Sequence, residues 1–403
     1  MNLSSFAQNA INHTAELIHL YGPRPAGSNS CLQAAEHLKD DLDSICGNAQ
    51  LETFITRPGV FNGFFIIEPL LYTFFILFAL AGQIRLAAIG LLLTIVYGFL
   101  QFGYYKEYFR FLFPKRTCAN VCAALEPGQD VRQQIILSGH HDSAYEMRIL
   151  RRHQKLYAFK VIIPDITIVA GMLGTLVWLG AEVYTHQTPA IAHGLQLMWL
   201  LSIPIVCSKL FMVGRHAIPG AGDNLIASSM LVELAKLFAV ENQKSNLDHT
   251  RILFVSFDAE EAGLRGARAY AHRHRQSLTA LPTYMINMDS IYNVNELQFL
   301  TSDLNHAVSL DKALAEQCMQ AALAAGYPAR LEPMKFGGGS TDAAELAKIG
   351  VRCTTILAMP TGLIRDGMVY HTMQDLPEAI EPEAVEACLE VVLTVVNQLD
   401  QLT

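Results

Sequence analysis

The chain has 403 residues, 51% of them hydrophobic and 16% charged, with a mean hydropathy of +0.26 and a formal net charge of −8. The acidic balance, without a basic stripe interleaved with aromatics, gives no reason to expect a nucleic-acid partner, and the apolar excess points to membrane segments. Eight scattered cysteines, of which only Cys118 and Cys122 lie close together, argue for reduced thiols rather than a disulfide frame.

Met1 to Ala10 has neither a basic run nor an apolar core, so no cleavable signal is expected. Residues 1–60 read as the start of a soluble domain: an amphipathic helix after Ser4 and Ser5, a Gly22-Pro23-Arg24-Pro25-Ala26-Gly27-Ser28 loop, a second helix to about Cys46 and a short strand. Leu86 to Tyr105 is then twenty residues without a charge, enough to cross a hydrocarbon core of about 30 Å as a helix. With the uncharged run Pro69 to Ile84 it forms a hairpin across residues 64–105 that turns near Gly82 to Arg85. Residues 106–157 return to soluble sequence, with strands at Asn120 to Leu125 and Gln134 to Ser138. A second hairpin occupies residues 158–213, in runs from Val161 to Ala181 and from Ala190 to Val213.

From 214 to 403 helical patterns (223–241, 261–275, 307–325, 341–349, 382–400) alternate with apolar strands (251–257, 284–289, 351–358), the pattern of a mainly parallel sheet covered by helices. Lys106, Arg110, Lys115, Arg116, Arg148, Arg151, Arg152, Lys155 and Arg215 flank the hairpins on the side of the soluble segments. That bias puts both termini and the soluble domain in the cytoplasm, on an inner or plasma membrane. Asp165, Lys160 and Lys209 are read as interfacial charges, the lysines snorkelling. A transporter is disfavoured by four helices without repeats.

The chemistry gathers where strands end. Ile252 to Phe257 runs into Asp258-Ala259-Glu260-Glu261-Ala262-Gly263-Leu264-Arg265-Gly266, placing two adjacent glutamates at the carboxyl end of a strand, where open α/β sheets bind ligands. Gln134 to Ser138 leads into Gly139-His140-His141-Asp142-Ser143, a histidine followed two residues on by a carboxylate that could orient it. Gly222-Asp223-Asn224 opens a helix, Asn287-Met288-Asp289 ends a strand, and Tyr370-His371-Thr372 lies in a late loop. Each alone reads as well as a helix cap or a surface histidine; jointly they supply oxygen and nitrogen ligands for two zinc ions.

These stretches, in this order and together with the Gly22 to Ser28 loop, resemble the co-catalytic zinc exopeptidase family of bacterial leucyl aminopeptidases, glutamate carboxypeptidase and glutaminyl cyclase. The resemblance implies an α/β fold with a mainly parallel mixed sheet covered by helices, here carrying four inserted transmembrane helices. It also implies two zinc ions per chain, with Asp223 bridging them, His140 and Asp289 completing one site, and Glu261 and His371 the other. Glu260 would be the general base, Asp142 would orient His140, and the Asp223-Asn224 peptide would be cis. The implied activity is hydrolysis of the N-terminal peptide bond of peptide substrates: a water held by the zinc ions loses its proton to Glu260. The chain departs from the family in having Ser340-Thr341-Asp342-Ala343 where Ser-Asp-His is common, and Ser290 after Asp289. Gly337 to Gly339 either brings backbone N–H groups to the substrate or forms a flexible turn, the turn being favoured because glycine is the default residue for unusual backbone angles. A glutaminyl-cyclase-like acyl transferase and a catalytically silent membrane scaffold are the alternatives, the first disfavoured by the five-ligand set and the second by its completeness. Because the second hairpin leaves just after His140 and returns just before Asp223, the crevice should border the lipid bilayer. A homo-oligomer formed through the membrane helices is compatible with their apolar faces.

Overall fold

The computed structural model describes residues 2–186, 191–240, 244–335, 337–360 and 367–402. Helix α1 (Leu3–Tyr21) buries Ala7, Ala10, Ile11, Thr14 and Leu17, the i, i+3, i+4, i+7 face of an amphipathic helix. Helix α2 (Asn29–Cys46) starts where Ser28 Oγ accepts from the Cys31 amide and stops at Gly47, which takes the left-handed conformation that glycine tolerates. Strand β1 (Gln50–Thr56) leads to the long apolar helices α3 (Gly59–Leu80) and α4 (Ile84–Gly103), then to β2 (Arg116–Leu125) and β3 (Gln133–His140). After β4 (Tyr145–Met147) and α5 (Arg148–His153) come the second long pair, α6 (Tyr157–Thr185) and α7 (Ala192–Cys207). The turn between them, the side chain of Arg152 and position 241 lie outside the described residues.

The remainder alternates: β5 (Val213–Ala217), α8 (Ile226–Phe238), the small β6 (Ala239–Val240) and β7 (Lys244–Ser245), β8 (Thr250–Phe257), α9 (Arg265–Ala280) and β9 (Thr283–Ile291). There follow β10 (Leu297–Asp303), β11 (Val308–Ser309), α10 (Lys312–Ala324), β12 (Arg330–Pro333), α11 (Ala343–Ala347), β13 (Arg352–Ala358) and α12 (Pro382–Gln401).

Among the described residues a nine-stranded sheet runs β1-β2-β8-β3-β9-β13-β10-β11, with β12 on β10. Its centre, β8-β3-β9-β13, is parallel, and β2 and β10 flank it antiparallel. This is the mainly parallel mixed sheet expected above. Side chains on these strands alternate between two cores. Ile135, Leu137 and Phe254 join the core beneath α1, α2, α8, α10 and α12, while Ile136 and Val255 join the one beneath α9 and α11. Strand β10 was not anticipated; with Leu297, Gln298, Phe299 and Leu300 all buried it shows none of the hydrophobic-polar alternation that marks a strand with one wet face.

Three helices start clearly later than their pattern suggests: α10, at Lys312 rather than 307, and two beside the crevice. Asp223 and Asn224 have non-helical backbone, so the helix begins at Ile226. Residues 259–264 form a tight turn with positive φ at Ala259, Gly263 and Leu264, so α9 begins at Arg265.

Four helices, Gly59–Leu80, Ile84–Gly103, Gln154–Thr185 and Ala192–Phe211, are long and apolar enough to cross a membrane. They share a core of Tyr72, Ile76, Leu91, Trp178 and Trp199, and their outward faces expose Phe74, Leu77, Leu93 and Leu173. Gly90 permits close packing of α3 and α4, since a Cβ there would fall 2.0 Å from Phe75 Cδ1. Lys209 does not snorkel. It turns inward, 2% exposed, and pairs with Glu68 of α3 and, at 2.7 Å, with Asp165 of α6. Inward pairing wins because one ammonium meets two carboxylates in an apolar setting, where an unpaired charge is costly.

Candidate metal centre

The four parallel strands share one carboxyl edge, and each delivers a site residue there. Strand β3 ends in His140, β8 runs into Glu260 and Glu261, β9 carries Asp289, and the segment after β13 carries His371. In β9 the register slips, Leu357 pairing with Asp289 and Ala358 with Ile291, so Ser290 bulges out with a φ of 51°. Bulges re-aim side chains beside active sites; here the Ser290 hydroxyl donates to Asp289 Oδ1 at 2.9 Å. Ser290 thus acts on the carboxylate that it follows.

Asp223 stands between the two histidines. Its Oδ1 is 3.3 Å from His140 Nε2, its Oδ2 is 3.0 Å from His371 Nε2, and His371 Nε2 is 3.1 Å from Glu261 Oε1. His140, Asp223 and Asp289 form one cluster of converging ligand atoms, and Asp223, Glu261 and His371 form another, sharing Asp223. The Asp223-Asn224 peptide is cis. Glu260 Oε2 lies 3.8 Å from His140 Nε2. Asp142 serves both sides: its Oδ1 is 3.3 Å from His140 Nδ1, and its two oxygens accept from the amides of Glu260 (3.0 Å) and Glu261 (3.2 Å). All seven residues singled out from the sequence therefore meet in one place.

The donor set fits a divalent metal. His140 Nε2 and Asp223 Oδ2 are buried without a hydrogen-bond partner, an expensive state unless a cation takes the lone pairs. Burial pushes Glu260 well above the ordinary carboxylate range, against the pull of His140. It pushes Asp289 up to about 7. Burial alone would depress the histidines, yet Glu260 and Asp142 hold His140 well above its usual value, and Glu261 and Asp223 hold His371 at about 10. The metal-free site thus retains protons that a bound metal displaces.

Residues not singled out above hold this arrangement. Asp375 accepts from the amides of Gly222 (2.8 Å) and Asp223 (3.3 Å), fixing the central carboxylate. The buried Arg24 guanidinium donates to the carbonyls of His141 and Gly220, tying the Gly22 to Ser28 loop to the strand end. His141 does not join these clusters: it groups with Cys31 and Asp258, its Nδ1 contacts Ser256 Oγ at 2.8 Å, and burial lowers it to about 3, so the ring is neutral. Asp342, in the departing Ser340 to Ala343 stretch, is fully buried with both oxygens unpartnered. Tyr370 stacks on His371 with ring centroids 3.9 Å apart. Arg24, His141, Asp342 and Tyr370 stand inside stretches quoted above without a role of their own, whereas only its spacing from His371 could have pointed to Asp375.

A cavity of about 190 Å³ opens over the carboxylates. Its wall includes Phe61 and Phe65 of α3, Phe102 of α4, Tyr105 and Tyr157 of α6, facing Tyr370 and Gly337 to Gly339. The apolar hairpins therefore border the site, as their points of insertion required.

Residues 208–396 match the model of Peptidase family M28, and no curated protein matches. Solved structures share the fold. An aminopeptidase from Aneurinibacillus sp. strain AM-1 has a TM-score of 0.55 at 15% identity, with 97% of this chain and 93% of that one covered. BSAP, a zinc aminopeptidase from Bacillus subtilis, has 0.55 at 13%, covering 98% and 95%. A Bacteroides thetaiotaomicron glutaminyl cyclase bound to N-acetylhistamine also has 0.55 at 13%, covering 97% of each chain. Residues 208–396 thus resemble peptidase family M28, and along nearly its whole length the chain shares the fold of these aminopeptidases and of the glutaminyl cyclase.

Proposed function

We propose that the chain is a membrane-embedded zinc aminopeptidase that removes the N-terminal residue of peptides. The observation that carries this reading is Asp223, whose two oxygens face His140 on one side and His371 with Glu261 on the other. His140, Asp223 and Asp289 would hold one zinc, and Asp223, Glu261 and His371 a second. Zinc bound there would acidify a water and polarise the scissile carbonyl.

The protein's own groups do the rest. Glu260 faces the cavity with its carboxyl raised by burial, suited to take the water's proton and return it to the leaving amine. Asp142, through the Glu260 and Glu261 amides, keeps both carboxylates aimed inward. Phe61, Phe65 and Phe102 supply an apolar wall that excludes water and suits hydrophobic peptides arriving at the membrane surface. The four long helices would span the bilayer as two hairpins, the catalytic domain standing on the lysine- and arginine-rich cytoplasmic side.

The test is amino-acid release from free and N-acetylated peptides by detergent-purified protein, beside Glu260→Gln. Release from free peptides only, reduced by about 10²- to 10⁴-fold in a variant that retains its zinc, is expected. Near-normal turnover in Glu260→Gln would sink the assignment. A second reading, glutaminyl-cyclase-like acyl transfer, draws on the cyclase among the shared folds; ammonia released from peptides with N-terminal glutamine, without amino-acid release, would select it. Inactivity on every peptide with zinc bound would favour a silent scaffold.

A further inference from the structure

Another cluster of metal-ligand side chains lies away from the catalytic crevice. His13 of α1 faces His37 and Asp41 of α2, the latter two one helical turn apart on the same face. One carboxylate oxygen serves both rings: Asp41 Oδ2 is 3.0 Å from His13 Nε2 and 3.8 Å from His37 Nε2. Although so close, neither His13 Nε2 nor Asp41 Oδ2 makes a hydrogen bond, and both atoms are buried. The His371–Asp223 pair of the catalytic cluster shows the same signature, 3.0 Å apart with the carboxylate oxygen unpartnered. The Tyr21 hydroxyl lies 3.1 Å from His37 Nδ1, the kind of outer partner that fixes the ring of a metal-bound imidazole and leaves its other nitrogen free.

We propose that His13, His37 and Asp41 hold a single divalent transition-metal ion that clamps α1 to α2. The three ligand atoms lie within 4.8 Å of one another, and the side chains are part-exposed, so small rotations bring them to the edges of a zinc tetrahedron with one position open to water. Two imidazoles and a carboxylate suit zinc, cobalt or nickel rather than calcium or magnesium. The clamp has a structural consequence. Helices α1 and α2 are joined by the Gly22 to Ser28 loop, whose Arg24 grips the His141 and Gly220 carbonyls, so an ion here would stiffen the loop that supports the catalytic strand end.

The experiment measures zinc per chain by mass spectrometry after equilibrating the full-length protein with zinc, in the parent and in His13→Gln and His37→Gln. Each variant is expected to hold one zinc fewer than the parent, whatever the content of the catalytic centre, with peptide hydrolysis retained. Loading with cobalt should give a parent-minus-variant difference spectrum with the visible bands of a four-coordinate nitrogen and oxygen site. Equal zinc content in parent and variants, or a featureless difference spectrum, overturns the proposal. If a histidine variant does not fold, Asp41→Asn, which preserves shape, gives the same comparison.

Discussion

Two groups of charged side chains, each with buried members, are balanced in opposite ways. At the carboxyl edge of the sheet six carboxylates, Asp142, Asp223, Glu260, Glu261, Asp289 and Asp342, crowd around two imidazoles, His140 and His371. Among the apolar helices, Lys209 meets Glu68 and Asp165 in direct pairs. The first group sets six carboxylates against two imidazoles and leaves atoms unpartnered; in the second each carboxylate pairs directly with the lysine. An acid-rich cluster with orphaned lone pairs is built to receive a cation, whereas a paired cluster holds helices together. Burial is common to both, so burial alone does not mark a site.

Removing metal should separate them most sharply. Chelation is expected to abolish peptide hydrolysis and to lower the thermal midpoint, because the binding free energy that favours the folded state is lost; a ligand at a hundred times its dissociation constant stabilises by about 2.7 kcal/mol. Zinc should restore both properties. A midpoint indifferent to the chelator would remove the cation from the account of the catalytic edge.

Breaking the paired cluster should cost stability instead. In Lys209→Met two carboxylates lose their partner, Glu68 deep in the helix bundle, and losing one member of a buried pair costs about 3–5 kcal/mol. The measurement is the thermal midpoint in detergent. The double variant Lys209→Met/Glu68→Gln should recover much of the loss, which would identify the penalty as one of unpaired charge.

The next effect falls on geometry. Asp142→Asn keeps the shape but turns an amide nitrogen toward one of the Glu260 and Glu261 amides that the carboxylate satisfied. A loss of about 10- to 100-fold in metal affinity or activity is expected, the usual cost of disturbing an outer partner. Zinc titration beside kinetics separates the two.

The contrast also explains what could be read in advance. The seven residues that meet at the carboxyl edge were legible because their stretches, ambiguous singly, recur where strands end or loops begin and follow the order of the family they resemble, and because the parallel strand pattern was clear. Asp375 was not, since its partners at Gly222 and Asp223 are 153 and 152 residues away. The inward turn of Lys209 was hidden in the same way, its partner Glu68 lying 141 residues off. The late starts of α8 and α9 were missed because backbone geometry there serves the site: Asp142 draws the Glu260 and Glu261 amides out of any helix, as Asp375 draws those of Gly222 and Asp223. Local pattern reports which residues can act; long-range hydrogen bonds decide how they are held.

The smallest effect belongs to a cluster of ordinary balance. The Glu345 carboxylate, nearly buried, is 2.8 Å from both Arg268 and Lys348. Burial pushes it up, but the hydrogen bond and charge of Arg268, with Lys348, outweigh burial and hold it below the usual glutamate range. Because the folded value is the lower one, its stabilisation is present above the unfolded value of about 4.3 and is lost as pH falls below it. Glu345→Gln should cost about 1 kcal/mol near neutrality, a modest figure because both cations stand a third in solvent. The difference between parent and variant midpoints should shrink as the buffer is taken below pH 4.3, at about that value and lower. If it instead grew on acidification, the charge of Glu345 would not be what its partners stabilise.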